Sequence, residues 1–365
     1  KTAATAERAV ELEEKPRATG AAATAPSAAT SVEAEAQVVA GSLYSKSLHD
    51  GFNGVSLTFT AEVDAAVEQI HSQCKGSSKD EAILAGILAT KTVDQRYLIW
   101  IRYQMLHKRT LTVWIKSTSD YGALLSMMAR PLVEVEAEIL RKATKGLGTT
   151  EKWIYPVIMG RTNLEINMLK KTYTQLYSKD LTKVLSGELS GDLKKAVLGV
   201  MRAEMAEFNA SVHTSAKAAA DADALYKAGE ARRGTDTETF VRILVTSPPQ
   251  HLRNVNAAYV ARYKKSSLIN AVKKEFSSDA KSALLFFVRW ELERFELLAE
   301  LFESTMKGVG TDEYGLSAAV VRYHALLPQI KVAYKKLYDR ELRERIRGDT
   351  SGDYRALLLS IVDGA

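Results

Sequence analysis

The stretch Lys307-Gly-Val-Gly-Thr-Asp-Glu313 is one of four related copies in the chain. The other copies are Lys75-Gly-Ser-Ser-Lys-Asp-Glu81, Lys145-Gly-Leu-Gly-Thr-Thr-Glu151 and the looser Arg232-Arg-Gly-Thr-Asp236. The equivalent polar positions in the four copies are Asp80, Thr150, Asp236 and Asp312. Successive positions are 70, 86 and 76 residues apart. Self-similarity at such a period predicts four structural repeats rather than unrelated domains.

From about residue 57, the segments before and between these copies carry apolar residues at helical spacing, as in Val63, Val67 and Ile70. Alternation of apolar and polar residues over the length of a strand is hard to find. We therefore predict an all-α body, in which each glycine copy is a turn that joins two helices. Thr235 and Glu238 have the spacing of a capping box at the start of one such helix.

The beginning of the chain differs from the rest in composition. Residues 1–42 are rich in alanine, contain no aromatic residue, and carry four basic and six acidic side chains. This segment therefore has a net charge of −2, and the rest of the chain +8, against +6 overall. A segment with so little to bury is predicted to be disordered.

The single cysteine, Cys74, excludes a disulfide scaffold.

The repeats divide the chain into a tail and four units. The longest interval between glycine turns predicts a linker near residues 210–224, between the second and third units. We expect a disordered tail at residues 1–56, followed by units one to four with these bounds: 57–130, 131–207, 208–292 and 293–365.

A second loop recurs further along the units, as Ser186-Gly-Glu-Leu-Ser-Gly-Asp192 and Arg347-Gly-Asp-Thr-Ser-Gly-Asp353. An acidic residue follows the last glycine of the turn by 40, 41 and 39 residues in three units: Gly148 to Glu188, Gly234 to Glu275, and Gly310 to Asp349. A helix–turn–helix alone needs no such carboxylate. Calcium takes about six to eight oxygen ligands, including carbonyls and a carboxylate, and glycine lets several carbonyls turn toward one point. The spacing therefore predicts calcium sites.

The four units, the Lys-Gly-x-Gly-Thr-Asp turns and the loop Gly348-Asp-Thr-Ser-Gly-Asp-Tyr354 make residues 57–365 resemble an annexin. The resemblance implies four repeats of about five helices each in a slightly curved disc. It also implies calcium sites on the convex face and calcium-dependent docking on anionic phospholipid.

The resemblance implies three backbone carbonyls and one carboxylate as Ca²⁺ ligands in each of units two to four. In unit two these are Thr144, Gly146, Gly148 and Glu188. In unit three they are Gly229, Arg232, Gly234 and Glu275. In unit four they are Met306, Gly308, Gly310 and Asp349. Thr150 stands where the family has aspartate, and we predict that it caps the following helix, which contains Pro156.

Unit one departs from this pattern. Ser78 replaces the second glycine, and the residue 40 positions later is Thr118 rather than an acid. Asp120 is the nearest candidate for the missing carboxylate. We predict that unit one lacks a full-strength calcium site.

These features predict a non-enzymatic protein that binds phosphatidylserine-like membranes, with calcium between its loops and lipid phosphates. The positive body suits an anionic leaflet, so we expect a cytoplasmic protein, peripheral on the inner face of the plasma membrane or on internal membranes. We expect a monomer in solution, and lateral assembly on the membrane stays open. The alternative is calcium-independent binding of nucleic acid or cytoskeleton through basic stretches such as 262–265 and 340–347. No Walker loop, His-Glu-x-x-His or Gly-x-Ser-x-Gly motif indicates an enzyme.

Overall fold

The computed structural model describes residues 42–365 with the exception of residues 78, 147 and 265. Within this range the chain forms 20 α-helices and two short 3-10 helices, and it contains no β-strand. None of these helices is both long and apolar enough to cross a bilayer. The prediction of an all-α body is confirmed.

Unit one is preceded by a short helix, α1 (Lys46–Phe52). The α-helices of unit one are α2 (Ala61–Gln73), α3 (Asp80–Ala89), α4 (Val93–His107) and α5 (Asp120–Met128). Only a four-residue 3-10 helix, Leu111–Trp114, lies between α4 and α5. Its β-branched and aromatic residues have low helix propensity. Counted with this 3-10 helix, unit one has the predicted five helices, four of which are α-helices.

Units two, three and four share one order of five helices, with a fourth helix of eight residues. Unit two comprises α6 (Leu132–Ala143), α7 (Glu151–Ile158), α8 (Asn163–Tyr177), α9 (Leu181–Glu188) and α10 (Gly191–Met201). Unit three comprises α11 (Ser215–Ala228), α12 (Thr237–Thr246), α13 (Pro249–Arg262), α14 (Leu268–Glu275) and α15 (Ser278–Leu292). Unit four comprises α16 (Arg294–Met306), α17 (Glu313–Arg322), the 3-10 helix His324–Leu326, α18 (Leu327–Tyr338), α19 (Leu342–Asp349) and α20 (Gly352–Asp363).

The expected bounds of the units fall between helices at 130/131, 207/208 and 292/293. The predicted linker at residues 210–224 is only partly right, because α11 already begins at Ser215. The side chain of Thr214 accepts a hydrogen bond from the Lys217 backbone N–H and caps this helix. The connection between units two and three is therefore the non-helical segment 202–214.

The predicted disordered tail ends too late in the sequence. Residues 42–56 include α1, and Tyr44 is 1% exposed. The Ser42 hydroxyl and the Leu43 N–H donate to Oε1 of Glu165, at 2.7 and 2.8 Å. Buried side chains and charge-assisted hydrogen bonds hold this segment, which we call the anchor segment (residues 42–52), against unit two. The remaining tail, residues 1–41, lies outside the described residues.

The four units associate in two reciprocal pairs. The last helix of unit two, α10, packs on the second helix of unit three, α12, while α15 packs on α7 in return. The same exchange joins units one and four, where α17 packs on α5 and α20 on α3. These pairs form a two–three half and a one–four half, which meet where α17 contacts α6.

A cluster of buried charges lies where the two halves and the anchor segment meet. Glu136 is 0% exposed, and its Oε1 accepts hydrogen bonds from Arg161 and from Nε of Arg322, the latter at 2.8 Å. Its Oε2 accepts the Tyr44 hydroxyl at 2.7 Å. Arg322 also donates to the Pro156 carbonyl at 2.7 Å. The cluster thus ties unit two, unit four and the anchor segment to one carboxylate.

Histidine 324 is expected to make the free energy of unfolding depend on pH. Burial, with the nearby positive charges of Arg96 and Lys331, lowers the pKa of His324 from 6.5 to about 3. Between these values the unfolded chain binds a proton that the folded chain does not, so stability falls as the pH drops from 6.5 toward 3. We expect His324→Asn to remove about 1–2 kcal/mol of the loss between pH 7 and pH 5, measured by urea denaturation. An unchanged loss in the variant would show that this histidine is not the responsible group.

Candidate functional site

The paired glycines in the turns of units two and four have similar backbone φ angles. The φ angles are 119° and 84° at Gly146 and Gly148, and 109° and 84° at Gly308 and Gly310. Positive φ is readily adopted by glycine and strained for other residues. These φ angles set the directions of the carbonyls in each turn. A side chain at the glycine positions would oppose the same φ angles.

One type of backbone hydrogen bond closes the turns of units two, three and four. Its donor is the N–H just before a second helix and its acceptor is a carbonyl near the end of the first helix: Thr150 to Ala143 (2.9 Å), Asp236 to Ala228 (2.7 Å) and Asp312 to Thr305 (2.8 Å). The unit-three turn encloses one residue more than the others. This is the variant turn that carries Gly229, Arg232 and Gly234.

The three predicted carboxylates occupy one structural position. Glu188, Glu275 and Asp349 are the last residues of the eight-residue helices α9, α14 and α19. The constant spacing in the sequence therefore corresponds to a constant place within the unit.

A threonine of each turn donates a hydrogen bond to the carboxylate of its own unit. The Oγ1-to-carboxylate distances are 3.2 Å for Thr149 to Glu188, 2.7 Å for Thr235 to Glu275 and 2.6 Å for Thr311 to Asp349. The structure thus brings the glycine turn and the predicted carboxylate together in all three units.

Sequence reasoning missed these threonines and assigned one of them a different role. The predicted capping box is wrong, because the cap of α12 is Asp236, which accepts the Thr239 N–H at 3.1 Å. The Thr235 hydroxyl bonds to Glu275 instead. The capping role predicted for Thr150 is also wrong, since its side chain makes no capping hydrogen bond. A threonine at the same place in three turns was the signal that could have identified the role.

Gly229 shows why the unit-three turn needs glycine at its start. A Cβ at this position would lie 2.8 Å from Cγ and 3.1 Å from Cδ of Glu275. Real Cβ atoms essentially never come within 3.0 Å of another atom, so any other residue would force the Glu275 side chain to shift. The predicted carbonyl ligand and the predicted carboxylate are therefore adjacent here.

The donor chemistry of these loop pairs fits a hard cation. Each pair combines backbone carbonyls with one carboxylate, all oxygen ligands of the kind that Ca²⁺ takes. Within the described residues, no group of three or more His, Cys, Asp or Glu side chains is placed to hold a metal ion. With a single carboxylate per unit, the protein supplies little negative charge, and each site is expected to be weak on its own.

Unit one is arranged differently. Asp120 is the first residue of α5, a position equivalent to Asp192 near the start of α10, and not to the carboxylates that end a fourth helix. Instead, the Lys116 ammonium donates to the Gly76 carbonyl at 2.9 Å. Asp80 is 0% exposed, and its Oδ2 accepts the Gly76 N–H at 2.7 Å. Asp120 therefore does not occupy the position of the carboxylates in units two to four.

Unit four contains a basic side chain that the sequence analysis did not single out. Nη1 of Arg345 donates to Oδ1 of Asp349 at 2.8 Å, and Nη2 donates to the Met306 carbonyl. The same guanidinium contacts Glu303 through Nε at 3.1 Å. Two of the four predicted ligands of this unit are thus bonded to one arginine.

Direct contacts connect the turns of units two and four. Lys152 and the Trp153 indole, which follow the unit-two turn, donate to Oδ2 of Asp312 at 2.5 and 3.3 Å. Burial alone would raise the pKa of Asp312, but these bonds and the Gly315 N–H bring it below its usual value. The two turns are therefore neighbours at the junction of the two halves.

Comparison with known proteins places the chain in one family. The family model described as Annexin matches residues 135–200, 220–286 and 298–361. Human annexin A13 is 34% identical over 305 residues, which cover 82% of this chain and 95% of the relative. Annexin A7 of Dictyostelium discoideum is 32% identical over 300 residues, 81% of this chain. The chain spans only 64% of the length of that relative.

Solved structures support the same placement. Annexin III has a TM-score of 0.76 at 30% identity, with 84% of this chain and 95% of that chain covered. A calcium-bound annexin (Sm)1 has a TM-score of 0.74 at 26% identity, with 84% and 92% covered. The predicted fold of annexin-like repeats is confirmed. The chain belongs to the annexin family, whose members are in general non-enzymatic proteins that bind phospholipid membranes in a calcium-dependent manner.

Proposed function

We propose that this protein docks on anionic phospholipid membranes through the glycine turns of units two, three and four. The observation that carries the proposal is the convergence of turn and carboxylate, through the threonine hydrogen bonds, in three separate units. The Ca²⁺ ligands would be the carbonyls and carboxylates named for each unit. Calcium, when bound, would supply the positive charge between these oxygens and lipid phosphates.

The turns also carry side chains suited to a membrane surface. Val309, between the two glycines of unit four, is fully exposed. Lys145, Arg232, Arg233 and Lys307 are exposed in the turns. Exposed basic residues are attracted to anionic headgroups, by about 1 kcal/mol for each well-placed one. Several weak contacts on one molecule also give avidity, because later contacts are effectively intramolecular. We propose a peripheral protein on cytoplasmic membrane faces that is monomeric before it docks.

The alternative of a basic surface for nucleic acid or cytoskeleton is less well supported by the geometry. Arg262 is paired with Asp223 through Nε at 2.7 Å. Lys335 is paired with Glu341 at 2.5 Å. Neutralised side chains of this kind attract phosphate weakly, so these stretches form mixed-charge surfaces.

Co-sedimentation with vesicles of phosphatidylserine and phosphatidylcholine tests the proposal. We expect the protein to pellet with the vesicles in calcium and to remain in the supernatant with chelator. Vesicles of phosphatidylcholine alone control for the need for anionic lipid. Equal binding with calcium and chelator, or no binding in either, would contradict the proposal. Binding that depends on salt but not on calcium would favour the alternative.

A further inference from the structure

The guanidinium of Arg345 occupies part of the place that the family pattern assigns to a metal ion in unit four. It donates to the Met306 carbonyl and to Asp349, two of the predicted oxygen ligands. The other Asp349 oxygen accepts the Thr311 hydroxyl at 2.6 Å. Both oxygens of this carboxylate are therefore engaged by the chain itself.

Arg345 is held in this place from its far side as well. Its Nε is 3.1 Å from Oε2 of Glu303, and its side chain is 17% exposed. Bonds to two carboxylates and a carbonyl engage three of the five N–H donors of the guanidinium, which stays charged at any physiological pH. The arrangement is therefore a paired and largely buried cation, and not a loose surface arginine.

Units two and three differ at the equivalent position, four residues before the carboxylate. The residues there are Val184 and Ala271, which carry no charge. Among the residues that the structure describes, Glu188 and Glu275 have no ion-pair partner within 4.0 Å, whereas Asp349 is paired with Arg345. The difference follows directly from one residue type at one helical position.

We propose that Arg345 is a resident cation of the unit-four turn that competes with calcium, so that units two and three bind calcium first. This inference rests on the proposed function. Calcium and a guanidinium repel each other and need the same oxygens, so binding at Asp349 requires the arginine to leave its partners. In unit one, a side-chain cation also occupies a carbonyl of the turn, because the Lys116 ammonium donates to the Gly76 carbonyl. The available turns then lie in the two–three half, which docks before the one–four half.

Replacing the arginine tests the proposal. In Arg345→Met, the calcium concentration for half-maximal binding to phosphatidylserine vesicles is expected to fall by about three- to tenfold. Arg343→Met is the matched control, because Arg343 lies on the same helix but pairs with Asp363 and Glu344. Both variants lose one positive charge, which by itself weakens attraction to the membrane. A lower calcium requirement in Arg345→Met but not in Arg343→Met therefore indicates that the unit-four oxygens have become available to calcium.

The variant Asp349→Asn tests whether the lower calcium requirement of Arg345→Met arises at the unit-four site. Asp349→Asn is expected to change the calcium requirement little in the natural chain and to abolish the gain in Arg345→Met. Equilibrium dialysis without lipid should show that Arg345→Met binds one more calcium ion than the natural chain, at calcium concentrations that do not saturate the natural chain. An unchanged calcium requirement in Arg345→Met would overturn the proposal, as would an Asp349→Asn effect equal to that of Glu188→Gln.

The reverse substitution keeps the test independent of the stability of Arg345→Met. Val184 is half-buried, and Val184→Arg places a guanidinium four residues before Glu188. This variant is expected to need more calcium despite its added positive charge, and a lower or equal requirement would count against the proposal. If none of the proteins, including the natural chain, binds vesicles in a calcium-dependent way, the proposed function fails instead.

Discussion

Glu188→Gln combined with Glu275→Gln is expected to raise the calcium concentration for half-maximal vesicle binding by about tenfold or more. Each substitution keeps the shape of the side chain and an oxygen that can accept the threonine hydroxyl. It removes the negative charge of the carboxylate that is the predicted calcium ligand of that unit. In the proposed docking mode the two turns act on one membrane surface, so loss of both also removes their avidity. Calcium titrations of vesicle co-sedimentation measure the effect.

The control for this pair is Glu204→Gln combined with Glu207→Gln, which removes the same charge between units two and three. The backbone here is bonded to the end of α12 that lies opposite the glycine turn, through the Ala206 N–H and the Thr246 carbonyl at 3.0 Å. The control is expected to bind like the natural chain. If both pairs shift equally, net charge rather than ligand loss explains the result. If neither shifts, the carboxylates are not ligands.

Glu136→Ala is expected to destabilise the folded protein by about 3–5 kcal/mol. The substitution leaves Arg161 and Arg322 as buried cations without their shared carboxylate and removes the acceptor of the Tyr44 hydroxyl. Removing one partner of a buried ion pair costs far more than the pair contributes, because an uncompensated charge remains. Urea denaturation followed by circular dichroism measures the change.

Glu138→Ala on the same helix is the matched control. Glu138 is 25% exposed and pairs with Arg130 and Lys142 near the surface, so its loss should cost about 1 kcal/mol or less. Comparable losses for the two variants would mean that the central cluster is not specially important for stability. Increased protease sensitivity of the anchor segment in Glu136→Ala would show that the same carboxylate holds residues 42–52.

The repeat pattern predicted the helical units and the place of the carboxylates because both depend on sequence distance. An interval of about 40 residues brings the end of the fourth helix back to the glycine turn in units two to four. Unit one lacks an acid at Thr118, and its fourth helix is reduced to Leu111–Trp114. A departure from the motif in the sequence thus corresponded to a departure in the backbone.

Other features could not be predicted, because they depend on which partner a side chain chooses. Thr235 can cap a helix or bond a carboxylate, and the spacing to Glu238 suggested the first. Arg345 lies in a run of charges that is typical of a solvated helix face, yet two of its three partners, Glu303 and Met306, come from a helix about 40 residues away. The alanine-rich composition before Tyr44 obscured the anchor segment, whose fixed position depends on Glu165 and Glu136 in another unit.

The reciprocal pairing of units one and four has a consequence for biosynthesis. Helix α5 has a buried apolar face, which includes Leu124 and Leu125, and it packs on α17. Helix α5 ends at Met128 and α17 begins at Glu313, so the ribosome must add 184 intervening residues before the partner starts to emerge. At about 5–20 residues per second, this face waits roughly 10–40 s. Units two and three are made consecutively, so their half can assemble while this face of unit one is still exposed.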